Sequence, residues 1–62
     1  INKINIFGIT GNELIVINDI LGKEVYRGIG VEEINLSNYV KGTYFLTISK
    51  GSRNNTFKII KK

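Results

Sequence analysis

Residues Lys41–Lys50, KGTYFLTISK, carry the clearest pattern in the chain. Apolar and hydroxyl-bearing residues alternate through this stretch, as in a β-strand that has one buried face and one solvent-facing face. The apolar side holds Tyr44, Leu46 and Ile48. Phe45 interrupts the hydroxyl side, and we expect it to pack against a neighbour on an adjacent strand.

The composition excludes several classes of enzyme. The chain has 62 residues, enough for one domain, and contains neither cysteine nor histidine. It therefore has no Ser/His/Asp or Cys/His catalytic set and no thiolate or imidazole ligand for zinc. We predict a protein that is not an enzyme and that binds no metal or cofactor.

The basic charge of +4 raises the possibility of nucleic-acid binding. The nine lysines and arginines are spread along the chain, however, and lysines between strands commonly protect exposed sheet edges. Only Tyr26–Arg27 and Phe57–Lys58 place an aromatic residue beside a cation, and Phe57 is expected in the core. We predict no nucleic-acid partner, and no membrane span because no apolar run reaches about 18 residues.

The first half of the chain reads as strands separated by turns. Ile1–Phe7 and Glu13–Asn18 are predicted strands, and the turn residues Gly8–Asn12 predict a hairpin between them. Glu13–Asn18 is apolar on both faces, which favours a central position in a sheet. Asp19–Gly22 fits a β-turn, in which aspartate accepts backbone hydrogen bonds and glycine allows positive φ. Lys23–Arg27 is the next strand.

The remaining segments complete the pattern. We expect Gly28 and Gly30 to end the preceding strand, and Val31–Leu36 to form another. Ser37–Val40 predicts a tight corner, with Ser37 as its cap. Two further segments are a polar hairpin loop, Gly51–Asn54, and a last strand, Thr56–Lys61. About six short strands and no helix longer than one turn predict an all-β fold, a small antiparallel Ig-like β-sandwich.

Alternation also predicts a core and one special glycine. Gly42 follows the corner and precedes the organising strand, so we expect positive φ or a close backbone approach there. Leu46 should lie near the centre of the core. The residues expected to be largely buried are Ile15, Ile17, Val25, Ile34, Leu36, Tyr44, Leu46, Ile48 and Ile59.

Three stretches of the chain, in this order, resemble a known family: IVINDILGKEV, EEINLSNYVKGTYFLTIS and the terminal FKIIKK. The order is similar to that of the type A C-terminal sorting domain of the type IX (Por) secretion system of Bacteroidota. The matching positions are Ile15, Ile17, Asp19, Gly22, Lys23, Val25, Ile34, Leu36, Ser37, Gly42, Tyr44, Leu46, Ile48, Lys58, Ile59, Ile60 and Lys61.

The resemblance implies a delivery function. Such a domain is a β-sandwich tag at the end of a longer secreted protein, and it follows a cargo domain in the same chain. It passes through the periplasm and outer membrane, is recognised by the type IX translocon, and is removed by a sortase-like cysteine peptidase that leaves the cargo secreted or on the cell surface. Residues 1–62 would form a single sorting domain, with an N-terminal strand that is either divergent or partly missing, because the chain lacks the Asn-Pro start common in the family.

For the recognition site we expect five residues: Gly42, Lys58, Ile60, Lys61 and Lys62. The terminal Ile60–Lys62 is expected to be exposed, so that its replacement by serine should leave the fold nearly intact. The alternative function is that of an Ig-like adhesive or spacer module that binds carbohydrate or protein. A sorting tag must end its parent chain, whereas a spacer can lie anywhere in it.

Overall fold

The structure is a computed structural model that describes residues 3–62. It contains six strands and, in the part of the chain that it describes, no helix. The strands are β1 (Lys3–Asn5), β2 (Leu14–Asp19), β3 (Glu24–Ile29), β4 (Glu33–Asn35), β5 (Gly42–Lys50) and β6 (Arg53–Lys61). The predicted all-β class and the number of strands are confirmed.

The strands form two antiparallel sheets. The larger sheet has four strands in the order β3-β2-β5-β6, and the smaller one pairs β1 with β4. In the larger sheet β2 and β5 are central, as the apolar residues on both faces of β2 predicted. The two sheets bury one set of apolar side chains between them, so the fold is a small β-sandwich.

The core lies between the inner face of the large sheet and the small sheet. Six side chains are buried in it: Ile15, Ile17, Ile34, Leu36, Tyr44 and Leu46. All six were predicted from alternation, whereas Val25, Ile48 and Ile59 are only partly buried against this cluster. The face assigned to β5 is confirmed, because Leu46 retains 3% of its exposure.

The predicted hairpin between the first two strands is wrong. β1 pairs with β4, with Ile4 opposite Ile34, and therefore lies in the other sheet from β2. The backbone N–H of Ile6 donates to the carbonyl oxygen of Glu32 at 2.8 Å, which keeps the chain beside the β4 side of the fold as it leaves β1. Residues 6–13 thus cross between sheets. The part of the predicted first strand at residues 1–2 lies outside the described residues.

Two of the predicted breaks need correction. β3 continues through Gly28 to Ile29. Glycine is needed at this position for close packing, because a Cβ there would lie 2.7 Å from the Tyr26 hydroxyl and from a Val31 methyl carbon. The strand ends before Gly30, whose φ is 63°. The predicted loop after β5 is also shorter than expected, since β6 begins at Arg53.

The two predicted turns are present. The backbone N–H of Gly22 donates to the Asp19 carbonyl at 3.0 Å, and the Asp19 carboxylate accepts from the N–H groups of Leu21 and Lys23. The corner after β4 is a β-turn closed by the Tyr39 N–H on the Leu36 carbonyl at 2.9 Å. The side chain that accepts a hydrogen bond at this corner is that of Asn35, whose Oδ1 accepts from the Ser37 N–H at 2.8 Å. The expected capping role of Ser37 is therefore wrong.

Glu13 fastens the crossing segment to the large sheet. Its carboxylate is buried and accepts hydrogen bonds from the Thr10 N–H at 2.9 Å, the Thr10 hydroxyl at 2.8 Å and the Gly11 N–H at 3.0 Å. The Thr10 backbone bond is the main cause that lowers the pKa of Glu13 to about 2, against the opposing effect of burial. Lys50 Nζ lies 3.9 Å from the same carboxylate.

This depressed pKa predicts a specific dependence of stability on pH. A carboxyl group with a lower pKa in the folded protein stabilises it above the unfolded pKa of 4.5 and ceases to do so as the pH falls through about 2. We therefore expect the difference in unfolding free energy between the wild type and Glu13→Gln to shrink as the pH falls from 4.5 to about 2. Urea denaturation of both proteins at several pH values measures it, and a constant difference would contradict the assignment.

Candidate recognition surface

Three motif segments from two distant parts of the sequence meet at one end of the sandwich. These are the corner Leu36–Val40, the start of β5 at Gly42, and the end of β6. The register of β5 against β6 places Gly42 opposite Lys61 and Tyr44 opposite Ile59. Residues that the sequence presented as separate motifs therefore form one continuous structural unit.

Lys61 is the centre of this unit, and it is buried. It retains 9% of its exposure, and its Nζ donates to the backbone carbonyl oxygens of Leu36 at 2.6 Å and of Tyr39 at 2.8 Å. The expectation that Lys61 is a surface residue is therefore wrong. Strand alternation places it on the same side of β6 as Phe57 and Ile59, facing the corner. These two hydrogen bonds connect the end of β6 to the corner.

Two tyrosines hold the rest of the corner. The hydroxyl of Tyr44 donates to the Val40 carbonyl at 2.6 Å, and that of Tyr39 donates to the Val25 carbonyl at 3.3 Å. Their rings are tilted by 45° with centroids 5.6 Å apart, a favourable aromatic arrangement. Burial is the main cause that raises the pKa of Tyr39. The carbonyl groups of Leu36, Tyr39 and Val40 all accept side-chain hydrogen bonds in this way.

Gly42 joins the corner to β5. Its φ is 151°, so the predicted positive φ is confirmed, and a Cβ at this position would meet no atom within 4 Å. The requirement for glycine is thus conformational and does not come from a close approach. Gly42 is also exposed.

We expect Gly42→Val to destabilise the domain by more than about 1 kcal/mol, because a β-branched residue is strained at this φ. The neighbouring Thr43→Val is the matched control, since it places the same side chain on regular strand backbone. Thermal melting of both variants measures the effect. An unchanged melting temperature for Gly42→Val would show that the backbone relaxes without strain.

The other three expected recognition residues, Lys58, Ile60 and Lys62, are exposed. Lys58 lies opposite Phe45 and Ile60 lies opposite Thr43 in the β5–β6 pairing. Phe45 is half-buried, as expected for a cross-strand neighbour, and Ile60 keeps 51% of its exposure. We call the set Thr43, Phe45, Lys58, Ile60 and Lys62 the terminal face.

The terminal face and the Lys61 side chain thus lie on opposite sides of the large sheet. Alternation along β6 turns Lys58 and Ile60 to the outer side of the large sheet and Lys61 to the inner side. Cationic and apolar side chains therefore stand together on the outer side of the sheet. Sequence reasoning missed the internal role of Lys61, although its even spacing from Phe57 and Ile59 was a usable signal.

The described residues contain no group of three or more acidic residues placed to hold a metal ion. They also contain no helix long and apolar enough to cross a membrane.

Comparison with known proteins identifies one family. The family profile described as "Secretion system C-terminal sorting domain" matches residues 1–62. No curated protein and no solved structure matches the chain. The match includes every segment that builds the corner and the terminal face.

Proposed function

This chain belongs to the family of type IX secretion C-terminal sorting domains, and from that premise we propose that it directs an attached cargo protein through the outer membrane and is then cleaved off. The family is one of sorting signals for type IX secretion and is not enzymatic. The observation that carries the proposal is the match over residues 1–62.

The terminal face supports a specific assignment within this function. Lys58, Ile60 and Lys62 are the exposed residues that the type IX translocon would contact, together with the exposed Gly42 at the start of β5. Lys61 would act indirectly, because its hydrogen bonds to the Leu36 and Tyr39 carbonyls hold the corner that supports this face. Recognition residues and structural residues therefore alternate along β6.

Two partners follow from the proposal. One is the type IX machinery, which includes the translocon and the sortase-like peptidase that removes the domain. The other is the cargo, which precedes residues 1–62 in a longer secreted chain and reaches the cell surface or the medium.

The assignment of the terminal face predicts that folding and secretion can be separated. Because Lys61 is buried, the test retains it and replaces only its exposed neighbours, in the double variant Ile60→Ser with Lys62→Ser. We expect unfolding free energy within about 0.5 kcal/mol of the wild type, as for most surface changes. A reporter fused to the variant should accumulate in the periplasm of a host with a type IX system.

The experiment measures melting of the isolated domain and the extracellular fraction of the fusion in parallel. Thr47→Ser with Asn54→Ser is the matched control, because it changes exposed or half-buried residues elsewhere on the β5–β6 hairpin. Normal secretion of the first variant would show that the translocon reads another surface. Equal loss of secretion in both variants would contradict the assignment of the terminal face.

A further inference from the structure

The outer edge of β6 is open. β6 runs for nine residues, and within the described part of the chain it pairs with β5 alone, at the end of the strand order β3-β2-β5-β6. A strand of this length with one unpaired edge presents a row of backbone donors and acceptors, to which another strand can be added. The edge lies beside the terminal face.

The register shows which backbone groups are available. Gly51 and Ser52 form a two-residue turn in which Gly51 has φ of 61°, so Lys50 and Arg53 next to the turn form a hydrogen-bonded pair. Such pairs alternate with pairs whose backbone groups point outwards. The N–H and C=O groups that face the open edge belong to Asn54, Thr56, Lys58 and Ile60.

An apolar groove runs along the inner side of the same edge. It encloses about 360 Å³ between the β1 segment and the β5–β6 hairpin, and its lining includes Ile4, Ile6, Phe7, Ile48, Phe57 and Ile59. Phe57 keeps 53% of its exposure and Phe7 keeps 91%, so the expectation that Phe57 lies in the core is wrong. A strand added to β6 would direct every second side chain into this groove.

The charge of the strands that form this edge limits what can bind. β5 and β6 carry Lys50, Arg53, Lys58 and Lys61, Lys62 follows β6, and neither strand contains an acidic residue. Two copies of β6 side by side would bring these cations together, which disfavours self-pairing and favours an acidic partner. On the outer side of an added strand, acidic residues would lie near Lys58 and Lys62.

We propose that the open edge of β6 binds an extended segment of a partner protein in which apolar and acidic residues alternate. The segment adds a fifth strand to the large sheet, with its apolar side chains in the groove and its acidic side chains beside the lysines. That the partner is a component of the secretion machinery rests on the proposed function. The binding chemistry rests only on the open edge, the groove and the charge.

The test uses the 62-residue domain and three fluorescent nine-residue peptides, matched in length to β6. One alternates valine and glutamate, one alternates valine and lysine, and one has the composition of the first in an order that breaks the alternation. We expect only the first to bind. Equal binding of the valine–lysine or the non-alternating peptide would overturn the proposal, and so would binding of none.

A matched pair of variants tests the backbone contact. Thr56→Pro removes an outward N–H without removing a bond to β5, and Thr56→Ala removes the same hydroxyl but keeps the N–H. We expect Thr56→Pro to weaken binding at least about tenfold, as for the loss of a hydrogen bond at a closed interface, and Thr56→Ala to change it little. Equal affinity of the two variants would overturn the added-strand geometry.

Amide exchange of the wild-type domain gives a result that does not depend on whether Thr56→Pro folds. The valine–glutamate peptide should slow exchange at Asn54, Thr56, Lys58 and Ile60, and should leave β3 at the opposite edge unchanged. Protection on β3 instead, or a domain that already dimerises through β6 without peptide, would overturn the proposal.

If a fused cargo is secreted while no peptide binds, this inference alone fails. If the peptide binds while secretion does not depend on the domain, the proposed function alone fails.

Discussion

Leu46→Ala should lower the unfolding free energy by about 2–5 kcal/mol, the range observed for large-to-small changes at buried leucines. Leu46 retains 3% of its exposure and lies between Ile17 of β2 and Phe57 of β6. Native proteins have total stabilities of about 5–15 kcal/mol, so the loss removes a large share of the stability. Urea denaturation followed by circular dichroism measures it.

Ile60→Ala is the control for this prediction. It removes a comparable aliphatic side chain from the adjacent strand, but at a position that keeps 51% of its exposure. We expect a much smaller loss of stability. Similar losses for the two variants would mean that the inner face of the large sheet does not carry the core.

Lys61→Met should have the second-largest effect, a loss of about 1.5–3 kcal/mol, the range for hydrogen bonds that involve a charged group. Methionine keeps a flexible side chain of similar length but cannot donate to the carbonyl oxygens of Leu36 and Tyr39. Two carbonyl groups at the corner then lose a charged donor in a partly enclosed setting. Chemical denaturation of the purified variant gives the change directly.

Lys62→Met provides the comparison, since it makes the same chemical change one residue later at an exposed position. We expect it to alter stability by no more than about 0.5 kcal/mol. If Lys61→Met were as mild as Lys62→Met, the buried ammonium group would not be holding the corner. The pair also explains why a variant at Lys61 cannot by itself test recognition, because loss of the fold and loss of the signal would coincide.

The parts of the fold that were predicted correctly are those encoded by local alternation. In β5 the residues Tyr44, Leu46 and Ile48 share one face in a strict period of two, which determines both the strand and its buried side. The turn at Asp19–Gly22 was also predictable, because the aspartate acceptor and the glycine conformation act within four residues.

The errors have a different physical origin. Turn residues after β1 indicate that the chain changes direction, but they do not reveal whether the next strand lies in the same sheet. That choice depends on the pairing of Ile4 with the distant Ile34. The sequence predicts a break at Gly28 because glycine weakens strands. Its packing against Tyr26 and Val31, which requires glycine there, is a tertiary constraint that the sequence does not reveal.

Lys61 shows the same limitation within the candidate site. Lysine is seldom buried, so the sequence favoured an exposed position, and only the corner carbonyl groups at Leu36 and Tyr39 make burial favourable. The resemblance to sorting domains identified the motif segments from the sequence. Their convergence at one end of the sandwich became visible only in three dimensions.

The most direct test of the proposed function is the distribution of a fused cargo in two hosts. A periplasmically targeted reporter carrying residues 1–62 at its C-terminus is expressed in a bacterium with a working type IX system and in the same bacterium without the translocon. The measured quantity is the fraction of reporter outside the outer membrane. We predict an extracellular or surface-exposed reporter in the first host and periplasmic retention in the second. Equal distribution in the two hosts, or secretion that does not require residues 1–62, would contradict the sorting function and favour the adhesive or spacer alternative.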